Sequence, residues 1–231
     1  FLTAEFEAVP AGKARDLGID RSMILAYGQD DRSCSFAALR AILDTKNVER
    51  TAVVMLMDKE EVGSQGNTGS ASAYFDYVLA ELMNLQEKNY SDLHLKRCMQ
   101  GTQVLSADVG AAFDPNYAYA YEKRNSSMLG KGLQLVKYTG SRGKGGCNDA
   151  NAEFLAVVAD IFDKNGVVWQ VGELGKVDQG GGGTIAFILA NAGAEVVDCG
   201  IPVISMHAPH EVTSKVDNYM AFLGYRAFLR R

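Results

Sequence analysis

An α/β fold, with a mixed sheet flanked by helices in three layers, follows from three observations. Short apolar runs alternate along the chain with longer stretches whose apolar residues recur at helical spacing. Several short runs, such as SMILAY (residues 22–27) and TAVVMLM (residues 51–57), are continuously apolar, as strands covered on both faces are. The acidic residues and the histidine of chemical interest fall at or just beyond the ends of these runs, where open α/β sheets bind ligands.

The elements read in order as follows. Leu2, Ala4, Phe6 and Ala8 alternate with polar residues, which predicts a strand at the start of the chain. A strand over 22–27 precedes a helix capped by Asp30 or Asp31 and running through Leu43, with Phe36, Leu39 and Leu43 on its apolar face. A buried strand over 51–57 leads into a glycine- and serine-rich loop. Residues 71–85 predict a helix with Tyr74, Tyr77, Val78, Leu82 and Leu85 as its apolar side, and 92–99 a shorter one. Strands follow at 104–107, 133–138 and 167–170. Asn148 or Asp149 caps a helix ending at Phe162, and another helix covers 183–192. The last strands lie at 196–197 and 203–206, before an amphipathic helix capped by Ser214 and ending near Leu229.

A length of 231 residues with 47% hydrophobic content suits one large core. No apolar stretch is long enough to span a membrane as a helix, and a net charge of −5 leaves no basic footprint for nucleic acid. Cys34, Cys98, Cys147 and Cys199 lie far apart without CxxC spacing, which reads as reduced thiols in a cytoplasmic protein. The opening at Phe1, in mid-strand pattern, reads as a fragment, a processed product or part of a longer chain.

Four strand-end sites carry candidate chemistry: Asp30-Asp31, Glu60-Glu61, Asp108 and His207. Carboxylates and imidazole suit zinc, cobalt or manganese, and one carboxylate can bridge two ions. Adjacent glutamates on an extended segment point to opposite sides, so one can bind a metal while the other faces a water or substrate. Taken singly, each site has a plainer reading: a helix cap, an exposed loop pair, a strand end, a structural histidine. Their joint occurrence after successive strands favours a site. The GGGGT run at 180–184 lacks the lysine of a P-loop and the spacing of a dinucleotide fingerprint, so it reads as a tight turn or a close approach to substrate.

DDR at 30–32, DKEEVGS at 58–64, SADV at 106–109, DPNY at 114–117, GELGKVDQGGGGT at 172–184 and SMHAPHE at 205–211 occur in that order. Together they resemble the aspartyl aminopeptidase/aminopeptidase I family of two-metal zinc peptidases, along the chain to about Phe228. The resemblance implies a zinc-exopeptidase (phosphorylase/hydrolase-like) fold and two divalent ions. It implies Asp30 as the carboxylate shared by both ions, joined to Asp31 by a cis peptide bond. Glu61 and His207 would hold one ion and Asp108 the other. Glu60 would be the general base, and Lys137 a substrate-side lysine. Peptides with a free N-terminus would be the substrates and a homo-oligomer, a dodecamer, the assembly.

Two departures stand out. Gly110, Ala111, Ala112 and Asp114 replace residues that the family uses near the substrate. The family's upstream HxD motif does not occur in these residues. Residues 1–231 therefore read as a single C-terminal portion of the catalytic domain, without the upstream segment and the inserted oligomerisation domain, and with weak or single-metal binding when alone. A catalytically silent assembly or binding module is the competing reading, and a deacetylase or carboxypeptidase a more distant one. Preference for acidic or neutral N-terminal residues stays open; Lys137 or Lys144 would serve an acidic one.

Overall fold

The computed structural model describes residues 1–142, 144–176 and 178–231. Its strands are β1 (Arg15–Leu17), β2 (Met23–Ala26), β3 (Gln103–Ser106), β4 (Gly110–Ala111), β5 (Leu133–Val136), β6 (Tyr138–Ser141), β7 (Gly145–Asp149), β8 (Trp169–Val171), β9 (Glu195–Gly200), β10 (Pro202–Ile204) and β11 (Glu211–Ser214). Its α-helices are α1 (Gln29–Leu43), α2 (Tyr74–Gln86), α3 (Asp92–Gln100), α4 (Ala152–Lys164), α5 (Ala186–Asn191) and α6 (Lys215–Leu229).

The mixed α/β class predicted from the sequence is the one observed, with the strands divided among sheets. A five-stranded sheet runs β1-β2-β11-β10-β4 and is antiparallel except for its β10–β4 pair. A four-stranded sheet runs β3-β9-β5-β8, with β3–β9 and β5–β8 parallel and β5–β9 antiparallel. β6 and β7 form a separate hairpin. The chain passes from β9 to β10 through buried Ile201, and from β3 to β4 beside it, where the Gly110 N–H donates to the Ile201 carbonyl at 3.0 Å. Asp108 lies at this crossing between the two larger sheets. A Cβ at Gly200 would stand 1.4 Å from the Asp108 carbonyl oxygen, so the close approach admits only glycine.

The main core joins Leu133 and Leu135 of β5, Val197 and Cys199 of β9, and Phe154, Val158 and Phe162 of α4 to α1 and α6. A smaller cluster of Leu95, Met99, Ala186, Ala194 and Val196 lies under Phe75, Leu79 and Met83 of α2. All four cysteines are free. No helix among the described residues is long and apolar enough to cross a membrane.

Several sequence expectations are corrected. Residues 2–8 form no strand: they are exposed, and sheet pairing begins only at Arg15. Alternation alone does not supply a neighbouring strand to pair with. Residues 51–57 are likewise unpaired, with Val53 and Leu56 exposed; the first bridge there is Asp58 to Gly69. The face of α1 is reversed. Cys34, Ala37 and Ala41 are buried, whereas Phe36, Leu39 and Leu43 are exposed. α1 packs on α6, where Ala221 and Gly224 are also buried, and small residues on both helices permit that approach. On α2 the packed residues are Phe75, Leu79 and Met83, while Tyr74, Tyr77, Leu82 and Leu85 are exposed. α4 starts at Ala152 because Asn148 and Asp149 belong to β7.

Phe162 is fully buried at the junction of α4 and α6. Replacing it with alanine is expected to cost about 3–5 kcal/mol in urea unfolding. A cost no larger than that of a surface substitution would contradict this placement.

Candidate metal centre

β2 ends at Ala26, Gly28 turns the chain at a φ of 66°, and α1 begins at Gln29. Asp30 and Asp31 sit in the first turn of α1 with non-helical backbone, joined by a cis peptide bond. Across the five-stranded sheet, β10 ends at Ile204, and the following loop reaches His207 with a φ of 65°. His207 Nε2 lies 3.0 Å from Asp30 Oδ2 and 3.2 Å from Glu61 Oε1. The Asp30 side chain is 7% exposed, while those of His207 and Glu61 are 63% and 57% exposed. The cluster therefore has a buried carboxylate floor and an open, solvent-facing side.

Glu60 and Glu61 lie on a 3-10 turn, Glu60–Val62, rather than on the extended segment expected. Their side chains still part: Glu60 is half-buried and Glu61 exposed. The turn is closed by the Gly63 N–H to the Glu60 carbonyl at 2.9 Å and the Ser64 N–H to the Lys59 carbonyl at 2.8 Å. On the other flank Asp108 joins Asp30 and Asp31 in a second group. In each group, Asp30–Glu61–His207 and Asp30–Asp31–Asp108, the candidate ligand atoms lie within 4.8 Å of one another. Asp30 is common to both.

These carboxylates crowd one another. Burial, then Glu61, raises the Asp30 pKa to about 7. Burial raises Asp31 to about 8, although Cys34 works in the opposite direction. Asp108 is pushed well above the ordinary carboxylate range by burial first and then by Asp31, Asp30 and Glu60. Glu60 is raised by burial and by Glu61. Asp31 Oδ1 is buried without a hydrogen-bond donor, and Asp30 Oδ2 is buried with the His207 ring nitrogen beside it. Buried carboxylate oxygens met by no backbone or hydroxyl donor, one of them beside an imidazole, fit a divalent cation, and the oxygen and nitrogen donors suit zinc.

The aminopeptidase I zinc metalloprotease (M18) family model matches residues 1–229. The chain belongs to the M18 family. It is 55% identical over 229 residues to a probable M18 family aminopeptidase 1 of Clostridium acetobutylicum, covering 99% of this chain and 49% of that protein. A Thermotoga maritima relative of the same description is 45% identical over 231 residues, covering 100% of this chain and 51% of the relative. The crystal structure of an M18 aminopeptidase from Thermotoga maritima superposes with a TM-score of 0.93 at 45% identity, over 96% of this chain and 49% of that one. This M18 chain thus spans about half the length of the curated relatives it matches.

Of the residues singled out in the sequence, Asp30, Glu61, Asp108 and His207 fall into the two ligand groups, and Glu60 stands at their edge. Lys137 does not join them. Its ammonium pairs with Asp149 just beyond the end of β5. Asp198 and Glu211 were passed over, and Asp31 was named beside Asp30 without a ligand role of its own. Asp31 supplies a ligand atom of its own to the second group. Asp198, buried on β9, receives the Thr184 hydroxyl at 2.7 Å and adds its charge behind Asp108. Thr184 ends the GGGGT run, so that run serves at least to anchor Asp198. Glu211, inside the SMHAPHE motif, accepts from the Asp30 N–H through Oε2 and from the His207 N–H through Oε1, each at 3.0 Å. Its position four residues after His207, opening a strand, was the available signal.

Raised carboxyl pKa values have a consequence for stability. Between the ordinary carboxylate pKa near 3.8 and the folded values of about 7 and about 8, the native state holds protons on Asp30 and Asp31 that the unfolded chain has released. Stability therefore falls as pH rises through that window. The lowered carboxyls of Asp16, Asp20 and Asp44 act only at more acidic pH. The metal-free chain is expected to melt at progressively lower temperature from about pH 5 to about pH 8, and zinc to flatten that slope. A metal-free melting temperature that rises over this range would contradict the placement of these groups.

Proposed function

We propose that the protein is a metalloaminopeptidase that removes the N-terminal residue from peptides, with residues 1–231 forming the metal-binding portion of its catalytic domain. The observation that carries the proposal is the sharing of Asp30 between two candidate ligand groups, one with two exposed members and one half-buried throughout. Glu61 and His207 would complete one divalent-ion position, and Asp31 and Asp108 the other. Zinc fits the donor set, with cobalt or manganese as substitutes. Bound ions would polarise the scissile carbonyl and make water acidic enough to attack near neutral pH.

Glu60 is the residue for proton transfer. Its half-buried carboxyl, raised by burial and by Glu61, is suited to take a proton from the attacking water. The water oxygen bonds to the carbonyl carbon, the carbon–nitrogen bond breaks, and Glu60 returns the proton to the leaving amine. The exposed side formed by Glu61 and His207 is where a peptide N-terminus enters, and its free amine meets the carboxylates there. Engagement of Lys137 by Asp149 argues against that lysine as the cation of an acidic-residue pocket unless substrate displaces Asp149. A cytoplasmic location accords with four free cysteines. A homo-oligomer accords with the relative solved as the Saccharomyces cerevisiae mApe1 dodecamer, at 26% identity and a TM-score of 0.75.

In the metal-loaded protein, Glu60→Gln is expected to lower turnover of N-terminal amide substrates by at least about 10²-fold with metal content unchanged. Unchanged turnover would remove Glu60 from the reaction. Asp30→Ala is expected to abolish uptake at both positions by elemental analysis, because it removes the shared ligand. Full metal content in that variant would count against a shared role, and a variant that loses only one ion would assign Asp30 to that ion alone.

A further inference from the structure

We infer that Glu211 is a positioning residue of the metal centre, whose carboxylate ties the backbone of Asp30 to the backbone of His207 and so fixes the separation of these two ligands. The inference rests on the metal-centre reading above and deepens it.

Asp30 and Glu211 are 181 positions apart in sequence, and Asp30 and His207 reach the site on different connections. Asp30 lies where β2 turns into α1; His207 lies in the loop between β10 and β11. Neither connection is regular secondary structure at the ligand itself, since Asp30 is non-helical and His207 has a left-handed backbone. Glu211 stands between them at the first residue of β11, where it pairs with Ala26 at the end of β2. One carboxylate oxygen accepts from each ligand residue, at 3.0 Å in both cases.

The backbone that carries this carboxylate is itself held firmly. Glu211 is 2% exposed. Its carbonyl accepts the Gln29 Nε2 at 2.6 Å, and the same amide reaches the Ile24 carbonyl at 3.1 Å. The Thr213 hydroxyl donates to the Gln29 Oε1. Burying a carboxylate is unfavourable unless donors meet it, and here the donors on its side chain are the N–H groups of two ligand residues. The charge-assisted pair does for the backbone what an outer carboxylate does for a ligating imidazole: it fixes the ligand before the ion arrives. Among the described residues, the other backbone hydrogen bond within the loop at this point runs from the Ala208 N–H to the Ser205 carbonyl. Its His207 side chain is exposed, so packing does not set its position.

Glutamine in place of Glu211 keeps the shape but offers one carbonyl oxygen; its NH2 would face the second N–H donor. The test is zinc titration of the chain by calorimetry, with the visible spectrum of the cobalt-substituted chain as a second readout. Glu211→Gln is expected to weaken the tighter zinc step by about 10–100-fold and to alter the cobalt absorption, with the metal-free fold retained by circular dichroism. A purely structural role would lower the melting temperature and leave the cobalt spectrum of the folded fraction as in the wild type; that result overturns the inference. Should Glu211→Gln not fold, Glu211→Asp keeps the charge but is one methylene too short to reach both N–H groups. It is expected to weaken zinc in the same direction, and wild-type affinity in it overturns the inference. Wild-type chain that takes up no zinc would instead overturn the metal-centre reading itself, a result distinguishable from both.

Discussion

Three aspartates and two glutamates converge on one half-buried pocket, and the burial of these carboxyls, compounded by their mutual repulsion, is the constraint that organises the site. Without a cation the pocket relieves itself by retaining protons, as the raised Asp30 and Asp31 carboxyls indicate. A bound cation would turn the same crowding into affinity. Asp30 would be the pivot, because its carboxylate belongs to both candidate ligand groups.

The scaffold assembles this pocket from chain turns rather than from one continuous element. β2 delivers Asp30 and Asp31, the crossing from β3 to β4 delivers Asp108, and the exit from β10 delivers His207. Close packing at the crossing holds Asp108 against Gly200, whose missing Cβ permits the approach. Behind Asp108, the Thr184 hydroxyl donates to Asp198, so a further buried carboxyl is held in place behind the pocket floor. Glu211 performs the corresponding task on the open side, through backbone N–H groups rather than side chains.

Much of this was legible in the sequence. Asp30, Glu60, Glu61, Asp108 and His207 stand at the ends of apolar runs, where their joint occurrence favoured a metal site, and the family resemblance supplied the role expected of each. Helices α3 and α6 and strands β3 and β9 lie where periodicity puts them, within a few residues. Failures arose where periodicity records that a residue is apolar but not which surface covers it. On α1 the larger side chains, Phe36, Leu39 and Leu43, gave the stronger signal, yet the close α1–α6 contact selects Ala37 and Ala41. Residues 51–57 carry strand-like composition, but a strand also needs a hydrogen-bonding neighbour, which composition does not encode. Glu211 and Asp198 escaped notice because their roles depend on contacts across long sequence distances. A buried carboxylate cannot be told from an exposed one by residue type alone.

Anomalous X-ray scattering at the zinc edge, from crystals of the zinc-loaded protein, tests the shared role of Asp30 most directly. The expected result is a zinc peak bounded by Asp30, Glu61 and His207, with any second peak bounded by Asp30, Asp31 and Asp108. A zinc peak that does not contact Asp30, or two peaks that use it for neither ion, would contradict the shared carboxylate on which the site is built.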